Sequence, residues 1–206
     1  MRALSWSIRD DVRILLAPFS TYRRRREAGT GKRGLAWLAR PLLLVVMMGA
    51  FVTVGHGGEL LPTLLVGSSL AFAWIPFLQI LLVAPFIALA RPAPLSWSRA
   101  VDLFFLGHGP WSLWLWFLCV VVLARPPAGV AELAGAPWLL PSAALAAGWT
   151  AVILFAYFRT VLALSGARAF VFTAAYQAAI GTCAYLFVGA TTYRVSPFSL
   201  YPSYWP

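Results

Sequence analysis

The run LPTLLVGSSLAFAWIPFLQILLVAPFIALA, from Leu61 to Ala90, carries no charged side chain. A helix crossing the hydrocarbon core of a bilayer needs about 20 apolar residues. This run is too long for one straight crossing and too short for two with a turn between them. Pro76 and Pro85 lie inside it. A single tilted or kinked transmembrane helix satisfies both facts.

The rest of the chain is of the same kind. Of its 206 residues, 61% are hydrophobic and only 11% are charged, and the mean hydropathy is +0.81. Soluble domains carry about a quarter charged residues, and a chain of this length cannot hide so much apolar surface inside itself. A soluble enzyme, a secreted disulfide module and a disordered chain are the classes this excludes. Further apolar runs cover residues 42–54 (35–54 if Arg40 snorkels at the boundary), 101–124, 138–164 and 170–191. The connections between them are short, which predicts antiparallel neighbours in one compact bundle. The expected fold is therefore all-α: an integral membrane bundle of five transmembrane helices with an N-terminal interfacial amphipathic helix. Its parts are a basic cytoplasmic arm at 1–40, a transmembrane domain at 41–192 and an aromatic, proline-rich exterior tail at 193–206.

The net charge of +10 is unevenly spread. Residues 1–40 hold ten of the sixteen cations and three of the six acids, so most of the excess precedes the first apolar run. A basic segment flanking a span fixes orientation and attracts anionic lipid; nothing around it suggests a nucleic-acid-binding fold. With the arm placed in the cytoplasm, the connections holding Arg91, Arg99 and Arg168 fall on the same side and the C-terminus outside. No cleavable signal is expected, because the first long apolar run begins only after Arg40. Over residues 5–19, Ile8, Val12, Leu15, Leu16 and Phe19 share one helical face, opposite Arg9, Asp10 and Arg13. Such a helix lies in the membrane interface or packs on its own bundle. Ser7 and Asp10 resemble a capping box, Pro18 limits the helix, and Arg23, Arg24, Arg25 and Arg26 are expected in a hydrophilic link facing lipid headgroups.

No nucleophile–base pair, phosphate loop or zinc spacing is present, and the chain is not expected to be an enzyme. His56 and His108 each sit in a Gly-His-Gly context. His56 is expected in an outer loop and His108 in a span, about 20 Å apart in depth at 1.5 Å per residue, so they share no metal. His108 is read either as a histidine hydrogen-bonded inside the bundle or as an axial ligand to a tetrapyrrole pigment or haem. Asp102 and Glu59 are expected to cap helix starts. Arg159 is expected to snorkel, or to meet Asp102 or a lipid phosphate. Gln79 and Gln177 are candidates to meet across helices. Cys119 and Cys183, in different spans, read as free thiols. Trp111, Trp114 and Trp116 form an aromatic surface for a protein or pigment partner, or dense bundle packing. Tyr201, Tyr204 and Trp205 add aromatic contacts in the tail. Small residues at 143, 144, 147 and 148 and at 174, 175, 178 and 179 predict close approach of the fourth and fifth spans.

Taken together, the basic arm, the Leu16-Ala17-Pro18-Phe19 element leading to Tyr22, the five spans and Leu164-Ser165-Gly166-Ala167-Arg168 before the last span resemble the bacterial branch of the Yip family of five-span membrane proteins. The acidic, aromatic arm motif of eukaryotic members is absent, so their GTPase-linked trafficking role is not implied. The resemblance implies a non-enzymatic scaffold in the bacterial inner (cytoplasmic) membrane. The expected function is an accessory subunit packing against lipids and other membrane proteins in a larger complex. The alternatives are a pigment- or haem-contacting subunit of a photosynthetic or respiratory complex, and a small-solute transporter.

Overall fold

The computed structural model describes residues 8–27, 37–57, 61–90, 95–125, 132 and 135–192, and the regular elements among them are all helical. In chain order these are α1 (Ile8–Leu16), α2 (Pro18–Glu27), α3 (Ala39–Gly57), α4 (Pro62–Phe72), α5 (Trp74–Ala90), α6 (Trp97–Leu106), α7 (Gly109–Ala124), α8 (Leu139–Thr160) and α9 (Gly166–Thr192). The tail residues Tyr201, Tyr204 and Trp205, together with Ser7 and Glu59, lie outside the described residues.

Two prolines explain how the long apolar runs are broken. Pro76 has no N–H to offer the carbonyl four residues earlier. The backbone tightens there, with the Ala73 N–H donating to the Leu70 carbonyl at 3.2 Å, before α5 continues. Pro110 acts similarly between α6 and α7. Gly107 and His108 donate to the carbonyls of Phe104 and Phe105 at 3.0 and 3.2 Å, and the two helices meet at a 44° bend. Pro85, by contrast, is carried inside α5. Among the described residues, two helices are long and apolar enough to cross a membrane, Pro62–Ala90 and Leu139–Thr160. The bent pair α6–α7 makes a third if counted as one, while the apolar part of α3, Ala39–Val54, is shorter.

At the centre stands α6. Every residue from Arg99 to Leu106 is buried, so beyond its exposed first residue Trp97 this helix has no outward face. Phe104 makes edge-to-face contacts with Tyr157 of α8 and Tyr176 of α9, with ring centroids at 5.8 and 5.4 Å. The Tyr157 hydroxyl donates to the Ala100 carbonyl at 3.1 Å. Phe86 of α5 packs on Phe158 and Phe172. These contacts bring the starts of α6 and α9 to the same end of the bundle as the ends of α5 and α8.

The arm is not an appendage of this bundle. Ile14 and Tyr22 are fully buried in the common core. The arginine quartet, expected in a link, belongs to a second helix, α2, because proline at a first helical position is compatible with helix and Asp10 draws Arg24 and Arg25 across the α1–α2 turn. His56, expected in a loop, lies in the last turn of α3. The helices α8 and α9 are neighbours, but the small residues at 144, 148, 174, 175 and 178 are exposed. Phe158 on Phe172 makes the contact instead. Gln79 and Gln177 do not bond each other; each keeps one buried amide atom without a partner. Cys119 and Cys183 are free thiols.

Candidate functional site: the docked arm and the basic groove beside it

Three regions of the chain converge at the arginine-rich end. Asp102 of α6 accepts from Arg99 of its own helix at 3.0 Å and from Arg40 of α3. Arg40 also reaches Asp11 of α1 at 3.3 Å. Arg99 donates a second bond, to the Arg25 carbonyl of α2, at 2.9 Å. Asp102 therefore does not cap a helix start: α6 begins at Ser96–Trp97, and Asp102 sits within it. Arg40 does not snorkel either, since it has two carboxylates within the bundle. A buried ion pair is justified only when its remaining donors and acceptors are also satisfied, and the shared carboxylate and the backbone carbonyl help to meet that need.

One turn deeper, the Gly107-His108-Gly109 segment forms a seat for the arm. A Cβ on Gly107 would stand 2.6 Å from the Tyr22 hydroxyl, and one on Gly109 would stand 2.9 Å from Leu15 Cδ2. At Gly107 the close atom belongs to a ring held in the core, so this glycine is present for proximity; at Gly109 it is the movable end of the Leu15 side chain. Trp149 of α8 donates to the Leu15 carbonyl at 3.0 Å, and Phe19 and Tyr22 pack edge-to-face on Phe155 and Tyr157. Burial pushes the ionisation of Tyr22 upward, against a smaller lowering from Arg40, so its hydroxyl stays neutral.

His108 faces a small space shared with Tyr22, Thr150 and Tyr176. Its Nδ1 lies 3.3 Å from the Phe104 carbonyl, and its ring stacks on Phe105 at 4.9 Å. The space measures about 20 Å³, the scale of a single water molecule. The hydroxyls of Tyr22 and Tyr176 are buried without a hydrogen-bond partner among the described residues. No cluster of His, Cys, Asp and Glu suited to a metal ion occurs among the described residues.

A larger opening lies on the other side of α2. This groove, of about 660 Å³, is lined by Phe19, Arg23, Arg26 and Glu27 of α2, by the end of α8 and by Leu95 and Ala163. Arg26 donates to the Thr160 carbonyl at 2.9 Å and Arg159 to the Leu164 carbonyl at 2.6 Å. Arg159 thus pairs with a backbone oxygen rather than with Asp102. Of the tryptophans, Trp111 and Trp114 contact each other at 5.3 Å, and Trp114 donates to Ser142 of α8 at 3.0 Å. Trp116 is exposed, in line with Leu113, Phe117, Val120 and Leu123.

Comparison with protein-family models, curated proteins and solved structures finds no match for the chain. The site therefore stands on its own geometry. Packing of the first arm helix on its own bundle was one of two readings of the sequence; the second helix and the seat at the helix break were missed, and their signal was the pair of glycines around His108, which also suits a ligand site.

Proposed function

We propose that the chain is a non-catalytic, five-pass integral membrane protein serving as an accessory or scaffold subunit, in contact with lipids and other membrane proteins. Its passes are α3, the α4–α5 pair, the α6–α7 pair, α8 and α9. One observation carries the reading: large apolar side chains are exposed around the perimeter, among them Leu70, Phe77, Leu89, Leu145 and Tyr185, while the ion pairs gather at one end. A bilayer demands that separation. The arm end then faces the cytoplasm of a bacterium and the C-terminus the outside, in keeping with the Yip resemblance. Val12, Leu16 and Phe19, exposed at the α1–α2 turn, reach into the acyl chains as an interfacial helix does. The exposed line through Trp116 on α7 is the surface offered to a protein partner.

The test uses membrane-impermeant thiol labelling of a chain whose two native cysteines are replaced. Glu27→Cys and Ser165→Cys label from one side and Gly135→Cys from the other. Labelling of all three from one side defeats the reading. For the partner role, cross-linking in native membranes through a photoreactive residue at Trp116 yields a discrete adduct; smeared lipid adducts alone count against it.

A specific observation favours a second reading, a small-solute transporter. The bent α6–α7 pair is a discontinuous helix with buried polar groups at its break, an arrangement transporters use for substrate. Solute uptake into proteoliposomes that is lost in His108→Ala supports it.

A further inference from the structure

Resting on the reading that α8 stands in a bilayer, we propose that the groove between α2 and the end of α8 binds one anionic phospholipid. The headgroup phosphate sits among Arg23, Arg26 and Arg159, and one acyl chain lies along the exposed stripe of α8.

The charge arrangement points to an anion. Arg24, Arg25, Arg40 and Arg99 all have aspartate partners. The three arginines of the groove have none among the described residues. Arg26 and Arg159 are held in place by backbone carbonyls through one N–H each. A guanidinium offers five donors in a fixed fork, so others stay free for phosphate oxygens. Arg23 makes no ion pair or hydrogen bond among the described residues. One carboxylate, Glu27, lies at the same groove, and no salt bridge joins it to the three cations among the described residues. The Leu164 carbonyl that positions Arg159 follows Ala163, whose φ of 54° is uncommon for a residue with a Cβ.

The apolar surface points to a lipid rather than a free phosphate. On α8 the positions 141, 145, 148, 152, 155 and 159 share one face, and all are exposed except the half-buried Phe155. Nothing lies within 4 Å of a Cβ placed on Gly148. Phe19 and Phe155, 6.1 Å apart, join this stripe to the groove. From Gly148 to Arg159 the helix rises about 16 Å, roughly half the ~30 Å thickness of a hydrocarbon core. A cationic pocket at the head of an apolar track one leaflet deep repeats the order of a phospholipid: phosphate, then chain.

The experiment is native mass spectrometry of the full chain in nonionic detergent, with phosphatidylglycerol or phosphatidylcholine added. One phosphatidylglycerol is retained per chain in preference to phosphatidylcholine. Arg23→Gln combined with Arg159→Gln lowers retention about tenfold or more, as loss of a charge-assisted bond implies. Arg9→Gln combined with Arg168→Gln, at exposed positions outside the groove, leaves it unchanged. Val152→Trp, which fills the track, lowers it as well. Equal retention in the groove variants, equal binding of phosphatidylcholine, or displacement by millimolar inorganic phosphate overturns the proposal. If Arg159→Gln fails to fold by size exclusion, Arg23→Gln alone decides, because Arg23 makes no ion pair or hydrogen bond among the described residues. Release of the chain from membranes by alkaline carbonate defeats the bilayer reading itself; retention in membranes without lipid preference defeats the groove alone.

Discussion

Gly107 and Tyr22 make the sharpest residue-scale case. Gly107→Ala places a methyl group against the Tyr22 hydroxyl, and overpacking of this kind costs about 1–3 kcal/mol. Thermal unfolding in detergent measures it. Tyr22→Phe removes a buried hydroxyl that has no partner among the described residues, so this change alone is neutral or stabilising, because an unsatisfied buried donor is itself costly. The double variant recovers much of the loss from Gly107→Ala, giving a coupling of about 0.5–3 kcal/mol in the cycle. Additive effects would mean that the arm does not dock at the helix break. The two glycines were visible in the sequence, but a missing side chain does not say which neighbour comes close. A ligand and a second helix leave the same mark there.

At the scale of the element, α6 decides most. It is buried from Arg99 to Leu106 and contains a carboxylate shared by Arg99 and Arg40. Asp102→Asn takes the shared carboxylate from Arg99 and leaves Arg40 with Asp11 alone, at a cost of about 3–5 kcal/mol. Denaturation of the purified chain in mixed micelles reads the loss directly. Replacing Arg40, Arg99 and Asp102 together with apolar residues of similar volume costs less than Asp102→Asn alone, since no deeply buried charge of the three is left over and Asp11, which loses Arg40, is only partly buried. The helical runs themselves were legible, because about 20 apolar residues in succession have few other uses. The break at Gly107–Gly109 was not, although Pro110 was in plain view. Prolines are carried inside long helices as well as beside breaks, and Pro85 within α5 does so here. The polybasic run read as a solvated link for a similar reason: four adjacent arginines look hydrated until Asp10, fourteen residues before Arg24, is seen to meet them.

Over the whole molecule, the arm belongs to the core rather than to the surface. Deleting residues 1–27 removes Ile14 and Tyr22 from the interior, each worth about 1.5–3 kcal/mol of burial, and uncovers Asp102 and Arg99. Truncation therefore abolishes a monodisperse size-exclusion peak in detergent. Adding residues 1–27 as a separate peptide restores a share of it. A stable truncated chain would return the arm to the role of a tether.

The position of Arg40 between its two partners bears on synthesis. Asp11 leaves the ribosome before it, and Asp102 only some sixty residues after it. Until then, the nascent chain has a cation at the head of α3 with only half of its eventual counterions, and no α6 for the arm to close against. The early helices must therefore wait in a provisional arrangement, and the architecture locks when α6 arrives. An arrest sequence placed before residue 102 would capture a loosely assembled intermediate, open to protease at the arm. One placed well after α6 and α7 would capture a protected one.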